Sequence, residues 1–202
     1  EPLTGFQITN HTDLSCTIKS VAEETTEEFE AMLKRVFLLN LSMARSMTSF
    51  FQTKAHDQLD DILFLEKSTN TLTALCKRIL SKRGYAQPTK TGMMYTLLSY
   101  LERVADQYRD ISKIVKENSN DKDLKTINEK IENLLELLYL HHRKLESKVQ
   151  ELREKRRVAE TLVESALATS SKSKTLMLSH YHAMLGLLNE IERLIVIIHL
   201  ES

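Results

Sequence analysis

Tryptophan is absent from this chain and turn-forming residues are scarce, with four glycines and two prolines in 202 residues. A β-sandwich or barrel needs a turn roughly every 8–12 residues, so this scarcity excludes a strand-rich fold and points to an all-α protein of long helices. An excess of charge of either sign is also missing. The 28 Lys and Arg residues balance 28 Asp and Glu, and no long basic block occurs. The electrostatic footprint of a nucleic-acid binder is therefore lacking, and no direct nucleic-acid binding by this segment is expected. Only Cys16 and Cys76 are present and they form no C-x-x-C pair, which excludes a cysteine metal site and a disulfide framework. Both are expected to be packing residues of a reduced, cytoplasmic protein. The longest apolar run, Leu194 to Ile198, is a fragment of the roughly 18 residues a membrane span requires, so no membrane insertion is expected. The chain opens at Glu1-Pro2 without a signal-peptide pattern and is expected to be part of a longer protein.

Enzyme signatures are missing as well. The glycines at 5, 84, 92 and 186 stand alone, so there is no phosphate-cradling loop, no G-x-G-x-x-G and no G-x-S-x-G. Seven histidines occur, but none in an H-E-x-x-H motif and none three residues after a Glu. His141-His142 and His180-x-His182 are expected as surface residues of amphipathic helices. The chain is expected not to be an enzyme.

What is present is helical periodicity. Residues 3 to 21 alternate Phe6, Ile8, Leu14, Cys16 and Ile18 with polar residues, as a short extended or strand segment would. From Thr26 the period becomes three to four: Phe29, Leu33, Val36, Phe37, Met43 and Met47 predict a first helix over about 26–53 with the methionines in the core. A second begins near Leu59 and stops at Lys82-Arg83-Gly84, cations followed by a glycine cap. A third spans about 91–117, and the polar stretch Asn118 to Asp121 breaks the pattern. No Gly or Pro interrupts residues 122 to 169, and a turn is expected between about 142 and 148; a last helix follows over about 174–200. Leu188 to Val196 aligns with Leu98 to Asp106 at an offset of ninety residues, keeping Glu-Arg and replacing Asp106 by Val196. The organisation expected is an N-terminal segment over 1–22 and two tandem three-helix units over 23–120 and 121–202, the second degenerate. Because Leu194 to Ile198 is apolar on every side, a homodimer through this helix is expected.

Glu102 and Asp106 place two carboxylates one helical turn apart beside an apolar stripe. Like charges at i and i+4 repel by a few tenths of a kcal/mol, a penalty that a bound cation would remove. Two readings fit: a metal-holding pair, or acids at the edge of an ordinary amphipathic helix. Asp57 and Asp61 share the spacing on the second helix. The macrodipole favours acids near a helix start without any metal. In the second unit Val196 removes the partner of Glu192, so no metal site is expected there, and Glu190 and Glu192 are expected to make surface contacts with Arg193 or lysines.

Tandem three-helix units with Leu101-Glu102-Arg103-Val104-Ala105-Asp106 on a third helix resemble the PhoU family of phosphate-uptake regulators, over residues 3 to the end. The lead-in Leu3-Thr4-Gly5-Phe6-Gln7-Ile8 is similar to archaeal members in which an AbrB-like DNA-binding domain comes first. The resemblance implies a divalent or trivalent metal ion (Fe, Zn, Mn or Mg) on Glu102 and Asp106, with Asp57, Asp61 and Glu66 as further ligands and Asp60, Glu66 and Asn70 converging on the same face as the third-helix pair. It implies a non-enzymatic regulator that docks on a phosphate ABC transporter ATPase or a signalling protein such as a sensor kinase. Two alternatives stay open: transcriptional control through a DNA-binding domain outside this chain, and a carboxylate-bundle metalloprotein.

Overall fold

The computed structural model describes residues 6–12, 15–20, 26–144, 149–168 and 170–200. Strands β1 (Phe6–Thr12) and β2 (Ser15–Ser20) pair antiparallel with an irregularity between Ile8 and Asn10. Six helices follow: α1 (Thr26–Thr53), α2 (Asp57–Arg83), α3 (Thr91–Ile114), α4 (Lys122–Lys144), α5 (Val149–Leu167) and α6 (Lys172–Leu200). The fold is all-α. The turn expected between about 142 and 148 falls largely on residues 145–148, which lie outside the described residues.

Local chemistry sets the helix ends. Lys54 leaves α1 with φ +61° while its N–H still donates to the Phe50 carbonyl at 2.8 Å. Gly84 ends α2 with φ +74°, a conformation that costs glycine nothing, and its N–H donates to Leu80 at 2.9 Å. The hydroxyl of Thr91, the first residue of α3, accepts the Tyr85 N–H at 2.9 Å and closes the connection. Asp121 caps α4, its Oδ1 accepting the N–H groups of Asp123 and Leu124 at 2.9 and 3.1 Å.

Helices α1, α2 and α3 pack on one another, as do α4, α5 and α6. Across the two sets, like meets like: α1 packs on α4 and α3 on α6. Both pairs are antiparallel. Phe37 meets His142 and Thr48 meets Glu132 between α1 and α4. Lys90 just before α3 reaches Ile198, Gln107 reaches His180 and Asn118 just beyond α3 reaches Ser173 of α6. One apolar core runs through all six helices, from Phe29 and Leu33 through Leu101 and Tyr108 to Tyr181 and Ile195. At the centre Asn128 is fully buried; it donates to the Ala44 carbonyl at 3.0 Å and to the Thr48 hydroxyl at 2.9 Å, and accepts from the Tyr181 hydroxyl at 3.3 Å.

The apolar end of α6 has its own explanation. This helix packs against α3, α4 and α5 together, so Ile195 and Ile198 are buried, Leu194 and Val196 half-buried, and only Ile197 and the terminal Leu200 stand exposed. Neighbours within the chain thus take up part of the girdle, and Ile197 and Leu200 remain on the side where the sequence suggested a second chain. No helix among the described residues is long and apolar enough to cross a membrane.

Candidate functional site

The acids singled out in the sequence meet at the packed face of α2 and α3. Glu66 sits on the inner side of α2 with its side chain 7% exposed. Its Oε1 accepts from Asn70 at 2.8 Å, one turn on, and from Arg109 Nη1 of α3 at 2.9 Å. The same guanidinium nitrogen binds Asp106, three residues back on α3. Its other side grips Asp110, Nε to Oδ1 at 3.0 Å and Nη2 to Oδ2 at 3.2 Å, and Lys113 reaches Asp110 at 3.1 Å. About three turns beyond Glu66 on α2, Lys77 binds Glu102 and lies 5.5 Å from the ring centre of Tyr95.

These contacts order the charges. Burial lifts the Asp106 carboxyl above the usual range, helped by Glu66 and Glu102 and opposed by Arg109. Hydrogen bonding to Arg109 pulls Asp110 down against its own desolvation. Arg109, hydrogen-bonded first to Asp110, holds its proton more firmly than a free guanidinium. Arg109 is thus the fixed cation of the site, shared among three carboxylates, a role for which its planar fork suits it better than lysine.

Of the five candidate ligands, the structure brings Glu66 and Asp106 together on Arg109, and places Glu102 one turn away on Lys77. Asp57 and Asp61 stand elsewhere. Both are exposed in the first turns of α2, where Asp57 Oδ1 accepts the Gln58 N–H at 3.0 Å. Nine residues separate Asp57 from Glu66, about 13 Å and half a turn around the helix, and Asp61 projects about 140° from Glu66. Asp60 faces Ser112 and Lys113 instead. Among the described residues no group of three His, Cys, Asp or Glu side chains is arranged to hold a metal. The donor set as it stands does not fit a metal ion, since the space between Glu66 and Asp106 holds a guanidinium nitrogen.

The second unit repeats the device with different parts. Glu192, equivalent to Glu102, is 4% exposed, and Arg153 of α5 meets its Oε1 at 3.3 Å. Glu102 and Glu192, aligned in sequence, are thus each tied to a cation on the preceding helix, Lys77 of α2 and Arg153 of α5. The expected surface role of Glu192 is corrected: it continues the stripe Leu185, Leu188, Ile191 and Ile195, which turns it inward. Glu190 does pair with Arg193, at 3.3 Å.

His141 and His142 are corrected in the same way, whereas His182 is exposed as expected and His180 half-buried. His141 is 5% exposed, and His142 stacks on Phe37 with ring centres 5.0 Å apart. The His199 Nε2 lies 3.1 Å from the His142 carbonyl, and the His141 and His199 rings are 6.2 Å apart. The available signal was position: both residues follow Leu138 at three and four, on the buried stripe of α4. No family model, curated protein or solved structure matches this chain.

Proposed function

We propose that this chain is a non-enzymatic regulator of phosphate uptake, of the kind its resemblance to PhoU implies, acting in the cytoplasm as a helical adaptor. The observation that carries the reading is the paired repeat: two three-helix units whose equivalent helices meet antiparallel, each with a third-helix Glu tied to its second helix. In such an adaptor the ion pairs hold α2 to α3 and α5 to α6, and the outer faces of α2 and α5 are free for a phosphate-transport ATPase or a signalling partner. Phe64, 70% exposed on α2, and Val158, 51% exposed on α5, are apolar side chains available for that contact.

Deleting the gene and following labelled phosphate uptake in phosphate-rich and phosphate-poor medium tests the reading. Uptake that no longer responds to phosphate supply, restored by the wild-type chain and not by one carrying Phe64→Asp and Val158→Asp, is the expected result. Unchanged uptake would end the proposal. Phosphoester turnover by metal-loaded protein, lost in Glu102→Ala, would replace it with the carboxylate metalloprotein.

A further inference from the structure

A second polar site lies away from the α2–α3 ion pairs. Where α1 begins, α4 and α6 finish and the α2–α3 connection crosses, a cleft of about 500 Å³ opens. Lys34 of α1, Lys90 before α3, His142 and Arg143 of α4 and His199 of α6 all border it. Among the described residues one carboxylate faces them, Glu30, which accepts the Tyr85 hydroxyl at 2.7 Å.

Two of the basic groups are built into the wall. Lys90 is 2% exposed and its ammonium donates to the Ile198 carbonyl at 2.6 Å, which fixes a charge that water cannot fully screen. The His199 ring is held by the His142 carbonyl, and the Nδ1 of His142 is buried without a hydrogen-bond partner. Lys34 and Arg143 add two exposed heads at the rim. Lys34, Lys90 and Arg143 bring like charges together from three places distant in sequence, and an anion placed among them, beside the two imidazoles, lowers the cost of their repulsion.

We infer that this cleft binds a small phosphorylated anion. A carboxylate offers two oxygens in one plane, whereas a phosphate group offers a tetrahedral set that several cationic side chains arriving from different directions can share. The volume lies within the roughly 300–1,000 Å³ of small-molecule sites, leaving room for an organic portion beside the phosphate. Burial, and then His199, His141 and Arg143, hold His142 to a pKa of about 4. A bound dianion offsets the repulsion from these neighbours and raises that value.

The test is calorimetric titration of the whole chain with inorganic phosphate, AMP and citrate, alongside proton NMR of the histidine rings. Expected are binding of phosphate or AMP in preference to citrate, an upward shift in the titration of His142 and His199, and about a tenfold loss of affinity in each of K34Q and R143Q. Tighter binding of AMP than of phosphate assigns the ligand an organic portion; equal binding assigns it to free phosphate. Both altered residues are exposed, so the fold is expected to survive, which circular dichroism checks. Absence of binding by either phosphate probe, equal binding of citrate, or affinities unmoved in both variants would overturn the site. None of these results bears on the phosphate-uptake reading, which rests on other residues.

Discussion

His142 lies flat against Phe37, with ring centres 5.0 Å apart and planes inclined by 20°. A neutral imidazole is at home there, while an imidazolium loses its water and faces His199, His141 and Arg143. The result is a pKa of about 4 against the ordinary 6.5, set chiefly by burial. Because the unfolded chain binds the proton more readily, stability present at neutral pH is lost as pH falls from about 6.5 to about 4. The full loss from this group is about 3 kcal/mol. Urea denaturation at about pH 7 and about pH 4.5 checks it: His142→Leu should lose clearly less than the wild type over that interval. Equal losses would show that the imidazole does not carry the effect.

Arg109 answers three carboxylates at once, so removing it should be felt in two ways. Arg109→Met leaves Glu66 buried beside Asp106 without a cation, at a cost of about 1–3 kcal/mol, less than for a wholly buried pair because water reaches part of the guanidinium. The vacated space then suits a hard cation. Manganese should raise the melting temperature of Arg109→Met and leave the wild type unchanged. Equal stabilisation of both proteins would mean that metal binds while Arg109 is in place.

Asn128 joins three helices through the Ala44 carbonyl, the Thr48 hydroxyl and the Tyr181 hydroxyl. Asn128→Ala removes those partners and leaves a cavity beside them, for a loss of about 2–4 kcal/mol. Tyr181→Phe, which takes away one long hydrogen bond and no volume, should cost about 1 kcal/mol or less. Comparable losses from the two changes in chemical denaturation would show that the network is not centred on Asn128.

Asp121 serves two ends of the chain, capping α4 through Oδ1 and meeting Lys174 of α6 through Oδ2 at 2.9 Å. Asp121→Ala should cost about 1–2 kcal/mol, and Asp121→Asn, which keeps the cap and weakens the ion pair, less than half of that. Thermal melts of the two variants separate the contributions.

The helices were legible because their periods are long and their stops chemical. Thr26–Thr53 coincides with the expected first helix, and Gly84 ends α2 where the cations and glycine said it would. The convergence of Glu66 and Asp106 came from the resemblance alone, since spacing along one helix says nothing of its neighbour. Their common partner was not legible, since nothing local brings Arg109 across to Glu66, 43 residues earlier. Glu192 and His142 were misjudged for a different reason: a charged or titratable residue on an apolar stripe was read by its chemistry, although its position was the better guide. How much of the all-round apolar end of α6 packs within the chain was not legible, because the sequence does not reveal how many neighbours a helix will have.

The antiparallel meeting of α1 with α4 and of α3 with α6 has a consequence for the handling of this chain. Each half presents to the other the faces of its own first and third helices, so the joint between them has the form of a two-fold dimer written into a single polypeptide. Val196 stands where the first half has Asp106, and Arg153 where it has Lys77, so the two halves are alike in form and not in charge. A cut through the polar break between α3 and α4 would bare the buried side of either half, and each fragment is then expected to seek a second copy of itself to cover it.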